Sequence, residues 1–358
     1  MTTRLPSWNR RGGPKGRGGS EVIVLDYRSH TESFRVGYHP GASRHPSCSR
    51  RGAGWFPNFC IMKNTLVGAA LIFLSLGISS SQDLNVKWIH GSEPCTANTD
   101  VPFQVHAYND DTYILRENKC INYEGPFIYL LFGQDKVFMQ DTGAAPAANS
   151  GIAFPIRETV QKIVEDWSKK HGKARMQLVV THSHAHGDHT GGDSQFSGQP
   201  DTTLVGKKLE DVQAYFGIRD WPNQQVTLDL GDRILDIIPI PGHEATSIAI
   251  YDRKSRILLT GDTVYPGRLY VRDWPDFKSS IERLAKFVKS HDVAKVLGTH
   301  IEMSNKPGID YPVRTTYQPE EHELSMTPAH ILELYAAVLK MKDTPVRDIH
   351  NDFIIYPR

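Results

Sequence analysis

Four things are scarce in this chain of 358 residues, and each scarcity closes a class of explanation. Cysteine is the first. There are four, and Cys95 and Cys120, the two in the body of the chain, lie in no cluster of other ligand-type residues. That argues against a thiolate-held metal and against a cysteine-dense scaffold. Apolar runs are the second: Leu66 to Ile78 is too short to cross a bilayer comfortably as a helix. No repeat of fixed period is present, which sets aside solenoids and propellers. Net charge is the fourth, at +1, but the balance hides an asymmetry. Residues 1–61 carry ten Lys/Arg against three Asp/Glu, and the remainder carries 31 against 37. The body is mildly acidic, which argues against a nucleic-acid groove. An apolar share of 39% is ordinary for a globular protein and leaves room for a sizeable core.

Residues 1–61 read as a disordered basic extension, with Gly12-Gly13-Pro14-Lys15-Gly16-Arg17-Gly18-Gly19 and no apolar period. Met62-Lys63 then opens a different pattern: a short positive start, the apolar run Leu66 to Ile78, and the small residues Ser79-Ser80-Ser81. This is the pattern of a signal peptide over 62–81. The expectation is that Met62 is the initiator, that residues 1–61 are an artefact of the gene model, and that 82–358 is exported to a periplasm or secreted, with no stable membrane span. Cys95 and Cys120 then read as one disulfide, with two free thiols as the alternative.

The body alternates strand and helix patterns. Phe127 to Phe132 and Lys136 to Gln140 read as a hairpin. Ile156, Val160, Ile163, Val164 and Trp167 put one apolar stripe on a helix over Pro155 to His171, with Gly172 as its stop. Further hairpins are expected over Gln225 to Pro239 and Ser247 to Thr260. Leu209 to Phe216, Phe277 to Ser290 and a segment begun by Thr327-Pro328 read as helices. Periodicity alone supports an α/β fold.

One stretch organises the rest. Thr181 to Gly192 reads THSHAHGDHTGG and follows the apolar run Met176 to Val180. It sets His184, His186, Asp188 and His189 within six positions, and imidazoles two apart can chelate one ion. Gly187, Gly191 and Gly192 suit close backbone approach. His243, Asp262 and His300 each follow a predicted strand, and Asp141 closes another.

These ordered motifs resemble those of the metallo-β-lactamase superfamily, from about Pro94 to the C-terminus. The resemblance implies a four-layer αββα sandwich. It implies a binuclear zinc hydrolase with His184, His186 and His243 on one ion, Asp188, His189 and His300 on the other, and Asp262 bridging. Two zinc ions per chain are implied, with iron or manganese as alternatives. A hydroxide held between the ions would be the nucleophile, with Asp188 as its orienting and proton-passing residue and Asp141 bracing the metal loop through hydrogen bonds. His182 reads as structural, His330 as a surface residue. Tyr265, Tyr270 and Trp274 are candidates to wall the pocket of a small-molecule substrate. Asp at the bridging motif, as in glyoxalase II and the acyl-homoserine lactonases, leans towards an ester, thioester or lactone. Export leans towards a β-lactam instead. A phosphodiesterase or nuclease is disfavoured by the acidic body and the short interval from Asp262 to His300, and a non-enzymatic relative by the complete ligand set.

Overall fold

The computed structural model of the chain describes residues 84–148 and 150–358. The expected extension over 1–61 and signal peptide over 62–81 lie outside the described residues. The first sheet has the spatial order β1 (Phe103–Asn109), β2 (Thr112–Glu117), β3 (Phe127–Phe132), β4 (Lys136–Gln140), β5 (Gln177–Thr181) and β6 (Thr202–Leu204). Pairing is antiparallel from β1 to β4 and parallel from β4 to β6. The crossover from β4 to β5 runs through α1 (Ile156–Lys170), as parallel neighbours require. Two single-turn helices, α2 (Gly187–Thr190) and α3 (Asp193–Phe196), follow β5, and α4 (Leu209–Phe216) follows β6. The stretch expected to be an extended or tightly turned ligand loop thus bends at Ser183 to Ala185, is extended at His186 and is helical at Asp188 and His189.

The second sheet begins with β7 (Val226–Asp229), β8 (Ile234–Pro239), β9 (Ile248–Asp252) and β10 (Ile257–Gly261), all antiparallel neighbours. The chain then leaves through β11 (Arg268–Val271) and α5 (Trp274–Ser290) and returns as β12 (Lys295–Gly298), parallel to β10. β13 (Ser325–Met326) closes that edge, and α6 (Pro328–Met341) follows it. β14 (Asp348–Ile349) and β15 (Ile354–Pro357) join β11 in a small third sheet. α5 starts three residues before the apolar period suggests, because Asp273 caps it: its side chain accepts a hydrogen bond from Asp276 N at 2.9 Å, and Pro275 sits in the first turn.

Strand alternation sorts the apolar residues into three layers of core. Phe127, Tyr129, Leu131, Phe138 and Val179 meet Ile237, Ile250 and Leu259 between the two sheets. Their neighbours Ile128, Leu130, Met139 and Val180 face the other way, against Ile156, Val160 and Trp167 of α1. On the far side Ile238, Leu258 and Val296 pack against Ile281 and Leu284 of α5 and Leu334 of α6. The order helix, sheet, sheet, helix is the αββα sandwich, and each fully buried aliphatic side chain contributes about 1.5–3 kcal/mol over exposure.

Cys95 and Cys120 are joined in a disulfide across 25 residues of sequence. β1, β2 and the third sheet carry no sequence expectation. In β1 half-buried residues alternate with exposed ones, and β14 has only two residues, so neither shows a strong apolar period.

Candidate metal centre

All the ligand-bearing loops leave the same end of the two sheets. β4 ends one residue before Asp141, β5 leads to His184, β10 ends one residue before Asp262, and β12 ends two before His300. His243 follows β8 through Gly242, whose φ of 134° and contact with the Phe277 backbone leave no space for a Cβ. The other glycines act differently from the sequence reading. A Cβ on Gly191 or Gly192 would overlap the backbone of 142–145, whereas nothing lies within 4 Å of one on Gly187. The pair brings two loops together rather than admitting an ion.

Two groups of ligand atoms form, each within 4.8 Å: His184, His186 and His243, and Asp188, His189, Asp262 and His300. In the first, His186 Nδ1 lies 2.8 Å from His184 Nε2 and 3.1 Å from His243 Nε2. In the second, His189 Nε2 lies 3.3 Å from Asp188 Oδ2 and 3.4 Å from His300 Nε2. Asp262 divides its oxygens between them. Oδ2 is 3.8 Å from His184 Nε2 and 3.6 Å from His243 Nε2, while Oδ1 is 3.5 Å from His189 Nε2 and 3.4 Å from His300 Nε2. Four donors at ordinary zinc bond lengths sit about 3.3 Å apart, so these separations fit the edges of a coordination shell.

The far side of each ring fixes its tautomer, assigned here from the hydrogen-bond network. His243 Nδ1 donates to Tyr270 O at 2.8 Å and His300 Nδ1 to Glu124 O at 3.2 Å. His189 Nδ1 donates to Asp141 Oδ2 at 3.1 Å, and His184 Nδ1 donates to Ser183 Oγ at 3.1 Å. When neutral, each of these rings therefore aims an Nε2 lone pair inward. His186 Nε2 is buried with no partner among the described residues. One N–H on His186 Nδ1 satisfies only one of the two lone pairs facing it, whereas a cation accepts all three. Nitrogen and oxygen donors without thiolate suit zinc among divalent metals.

Asp141 is the brace. Its Oδ1 accepts from Ser183 N at 2.6 Å and its Oδ2 from Ser183 Oγ at 2.9 Å and from His189. Thr299 Oγ1 donates to Asp262 Oδ1. Burial pushes the His184 and His243 imidazoles below their ordinary value and holds His186 at about 4, so all three stay neutral and ready to ligate. His189 and His300 move the other way. Burial opposes it, but Asp188 and Asp262 raise both, His300 to about 8, and Asp141 adds to His189. Against burial again, the same imidazoles pull Asp188 and Asp262 well below the carboxylate range. Protons serve there as counter-ions, which a bound cation would displace.

Two pocket candidates need correction. Tyr265 is 1% exposed, and its hydroxyl donates to Arg268 O and to Glu302 Oε2 at 3.0 Å. Its ring stands edge-on to His300, with centroids 5.8 Å apart. It supports a ligand from behind and offers no free hydroxyl. Trp274 is buried in the α5–α6 core, and its Nε1 donates to Lys342 O at 2.8 Å, because capping by Asp273 places it inside the helix. Tyr270 lines a cleft of about 300 Å³ together with Glu124, Arg268 and Arg358; its hydroxyl accepts from Arg268 Nε at 2.9 Å. His182 donates to Asp193 Oδ1 at 2.8 Å, away from the ligands. His330 is half-buried rather than on the surface: it completes the cap of α6 with Thr327 and shares Asp352 with His322.

Glu117 escapes the sequence reading. It is fully buried, its Oε2 accepts from Ala144 N at 2.9 Å, and burial raises its carboxyl well above the ordinary value of 4.5. It pins the turn that follows Asp141. The only sequence signal is a charge at the end of an apolar strand.

Residues 123–300 match the model of the metallo-beta-lactamase superfamily. The chain is 28% identical over 207 residues to the acyl-coenzyme A thioesterase MBLAC2 of Homo sapiens, covering 48% of this chain and 72% of that protein. It is 30% identical over 131 residues to a hydroxyacylglutathione hydrolase of Ectopseudomonas mendocina (strain ymp), covering 33% of this chain and 46% of that one. Among solved structures, a metallo-beta-lactamase from Pontibacter korlensis aligns with a TM-score of 0.42 at 15% identity, over 66% of this chain and 99% of that one. With the matched segment carrying the metal-binding loops, the chain belongs to the metallo-beta-lactamase superfamily and is a metal-dependent hydrolase.

Proposed function

We infer that the chain is an exported hydrolase of thioesters of small acyl groups, working with two zinc ions. The observation that carries the binuclear reading is Asp262, with one oxygen towards each cluster. An Asp at that position, rather than a thiolate, favours acyl chemistry. Relatives named for acyl-coenzyme A and for hydroxyacylglutathione narrow it towards acyl groups carried on a thiol. Export draws support from the paired Cys95 and Cys120, because disulfides persist in oxidising compartments.

His184, His186 and His243 would hold one ion, Asp188, His189 and His300 the other, and Asp262 both. Bound there, divalent ions supply Lewis acidity, making water nucleophilic near neutral pH and stabilising a developing oxyanion. Asp188 keeps 22% side-chain exposure against 8% for Asp262. It is the carboxylate of the centre with access to an incoming substrate, suited to orient water and pass a proton to the departing thiolate. Ser183 and Thr299 hold Asp141 and Asp262 in place, so the donors need not reorganise during the reaction.

The disulfide also favours a second reading, hydrolysis of β-lactams outside the cytosol. Turnover of an S-acyl thioester, a lactone, a nitrocefin-type β-lactam and a bis-phosphodiester by zinc-loaded protein separates these readings. The highest kcat/KM is expected with the thioester, and a β-lactam preference would overturn the assignment. Native protein whose N-terminal sequence begins near Gln82 is the outcome expected of export; a start at Thr2 refutes it.

A further inference from the structure

The outer face of the first sheet is covered unevenly. α1 seals β3 and β4 with Ile156, Val160, Ile163 and Trp167, but along its length, from Arg157 to Lys169, it leaves a groove of about 410 Å³ beside the β5–β6 edge. None of the ligand-type residues of the metal centre lines this groove. Its floor is apolar, made by Val160, Val164, Met176, Leu178 and Phe196. Its rim is basic. Arg157, Lys169 and Lys173 line it and have no ion-pair partner among the described residues, while Arg175 is held by Asp201. The other rim carboxylate, Glu165, accepts from Gln161 at 2.7 Å. Cations outnumber anions, and the unpaired ones border apolar surface.

We propose that this groove binds an amphiphilic anion, a carboxylate on an unbranched alkyl chain. The volume lies in the range of small-molecule sites. The floor rewards burial of a flexible methylene chain. A neutral chain would leave Lys169 and Lys173 unused, whereas a carboxylate at that end of the groove takes charge-assisted hydrogen bonds from them; Arg157, in the first turn of α1, lies about 18 Å away along the helix. Lys173, half-buried at the junction of α1 and β5, lines the groove at the same end as Lys169.

Titration of dodecanoate into the zinc-loaded full chain by calorimetry tests this, with three comparisons. Lys169→Glu combined with Lys173→Glu is expected to weaken binding about tenfold, the summed effect of reversing two rim charges, with thioester turnover unchanged. His184→Ala, which disables the first metal cluster, is expected to leave saturable dodecanoate binding in place. Photo-crosslinking with a diazirine-bearing alkyl carboxylate is expected to label peptides of α1 and β5. Binding abolished by His184→Ala, or labels confined to the 184–189 and 300 peptides, would assign the carboxylate to the metal centre and overturn the proposal. So would equal binding by the charge-reversal variant. Association with phosphatidylglycerol vesicles at concentrations where monomeric dodecanoate does not bind would identify a membrane surface as the partner and overturn it too.

Discussion

Two buried polar clusters lie at opposite ends of the same sandwich, and they are built on opposite rules. At the end away from the metal loops, Arg233 is 1% exposed and Asp252 is fully buried. Arg233 donates to Asp252 at 3.1 and 2.6 Å, to Thr112 Oγ1 at 2.7 Å, to Phe132 O at 3.1 Å and to Asp111 O. Asp252 also accepts from the backbone of Lys254 and Ser255. Donors match acceptors, the charges cancel, and the cluster clamps the first sheet to the second. At the metal end, lone pairs converge with too few hydrogens between them. A cluster complete in itself fixes a fold; one whose lone pairs converge on a common point is a site for a cation.

The contrast can be pressed from both sides. The largest effect is expected at the closed end. Arg233→Met leaves Asp252 buried without its partner and should cost about 3–5 kcal/mol of stability in urea unfolding. Zinc content per folded molecule should be unchanged; loss of metal in that variant would show that the two ends are one unit. Asp262→Asn should do the reverse. It preserves volume but removes the charge shared by both clusters, so kcat should fall roughly 10²–10³-fold and zinc content should drop below two per chain. Full activity with full metal content would end the bridging assignment. Tyr265→Phe deletes hydrogen bonds to Arg268 and Glu302. About 1 kcal/mol of stability should be lost, with kcat within about twofold, and a larger drop in rate would return the hydroxyl to the reaction.

The smallest effect concerns pH. Burial keeps the Glu117 carboxyl protonated above its ordinary 4.5. The folded chain then binds a proton that the unfolded chain has released, so this group's stabilisation is full below 4.5 and is lost as pH rises towards the raised folded value. Glu117→Gln mimics the protonated form and should reduce the difference between urea midpoints at pH 5 and pH 8. An undiminished difference would mean that the carboxyl ionises in place.

The metal end was largely legible in the sequence, because its residues are few in type and follow strands whose apolar runs are strong. His184, His186, Asp188, His189, His243, Asp262 and His300 stand out in their strings, and the fold brings them together in two groups. The closed end was not legible. Nothing in Arg233 or Asp252 distinguishes them from solvated charges in hairpin turns until the register of β8 and β9 brings them together. Tyr265 and Trp274 were misplaced for a related reason: side-chain direction after a tight turn depends on tertiary contacts. A Cβ on Gly298 would collide with Tyr265, so a glycine 33 positions later decides where that ring goes. The β1–β2 pair was missed because its burial is set by neighbours rather than by its own period.

The division of Asp262 between the two clusters has a thermodynamic consequence. A carboxylate with one oxygen in each shell makes occupancy of the shells a linked equilibrium. Whatever factor the first ion applies to the affinity for the second, the second must return to the first. Metal titrations of this protein are therefore expected to yield a coupling constant, rather than two independent dissociation constants, as their informative quantity.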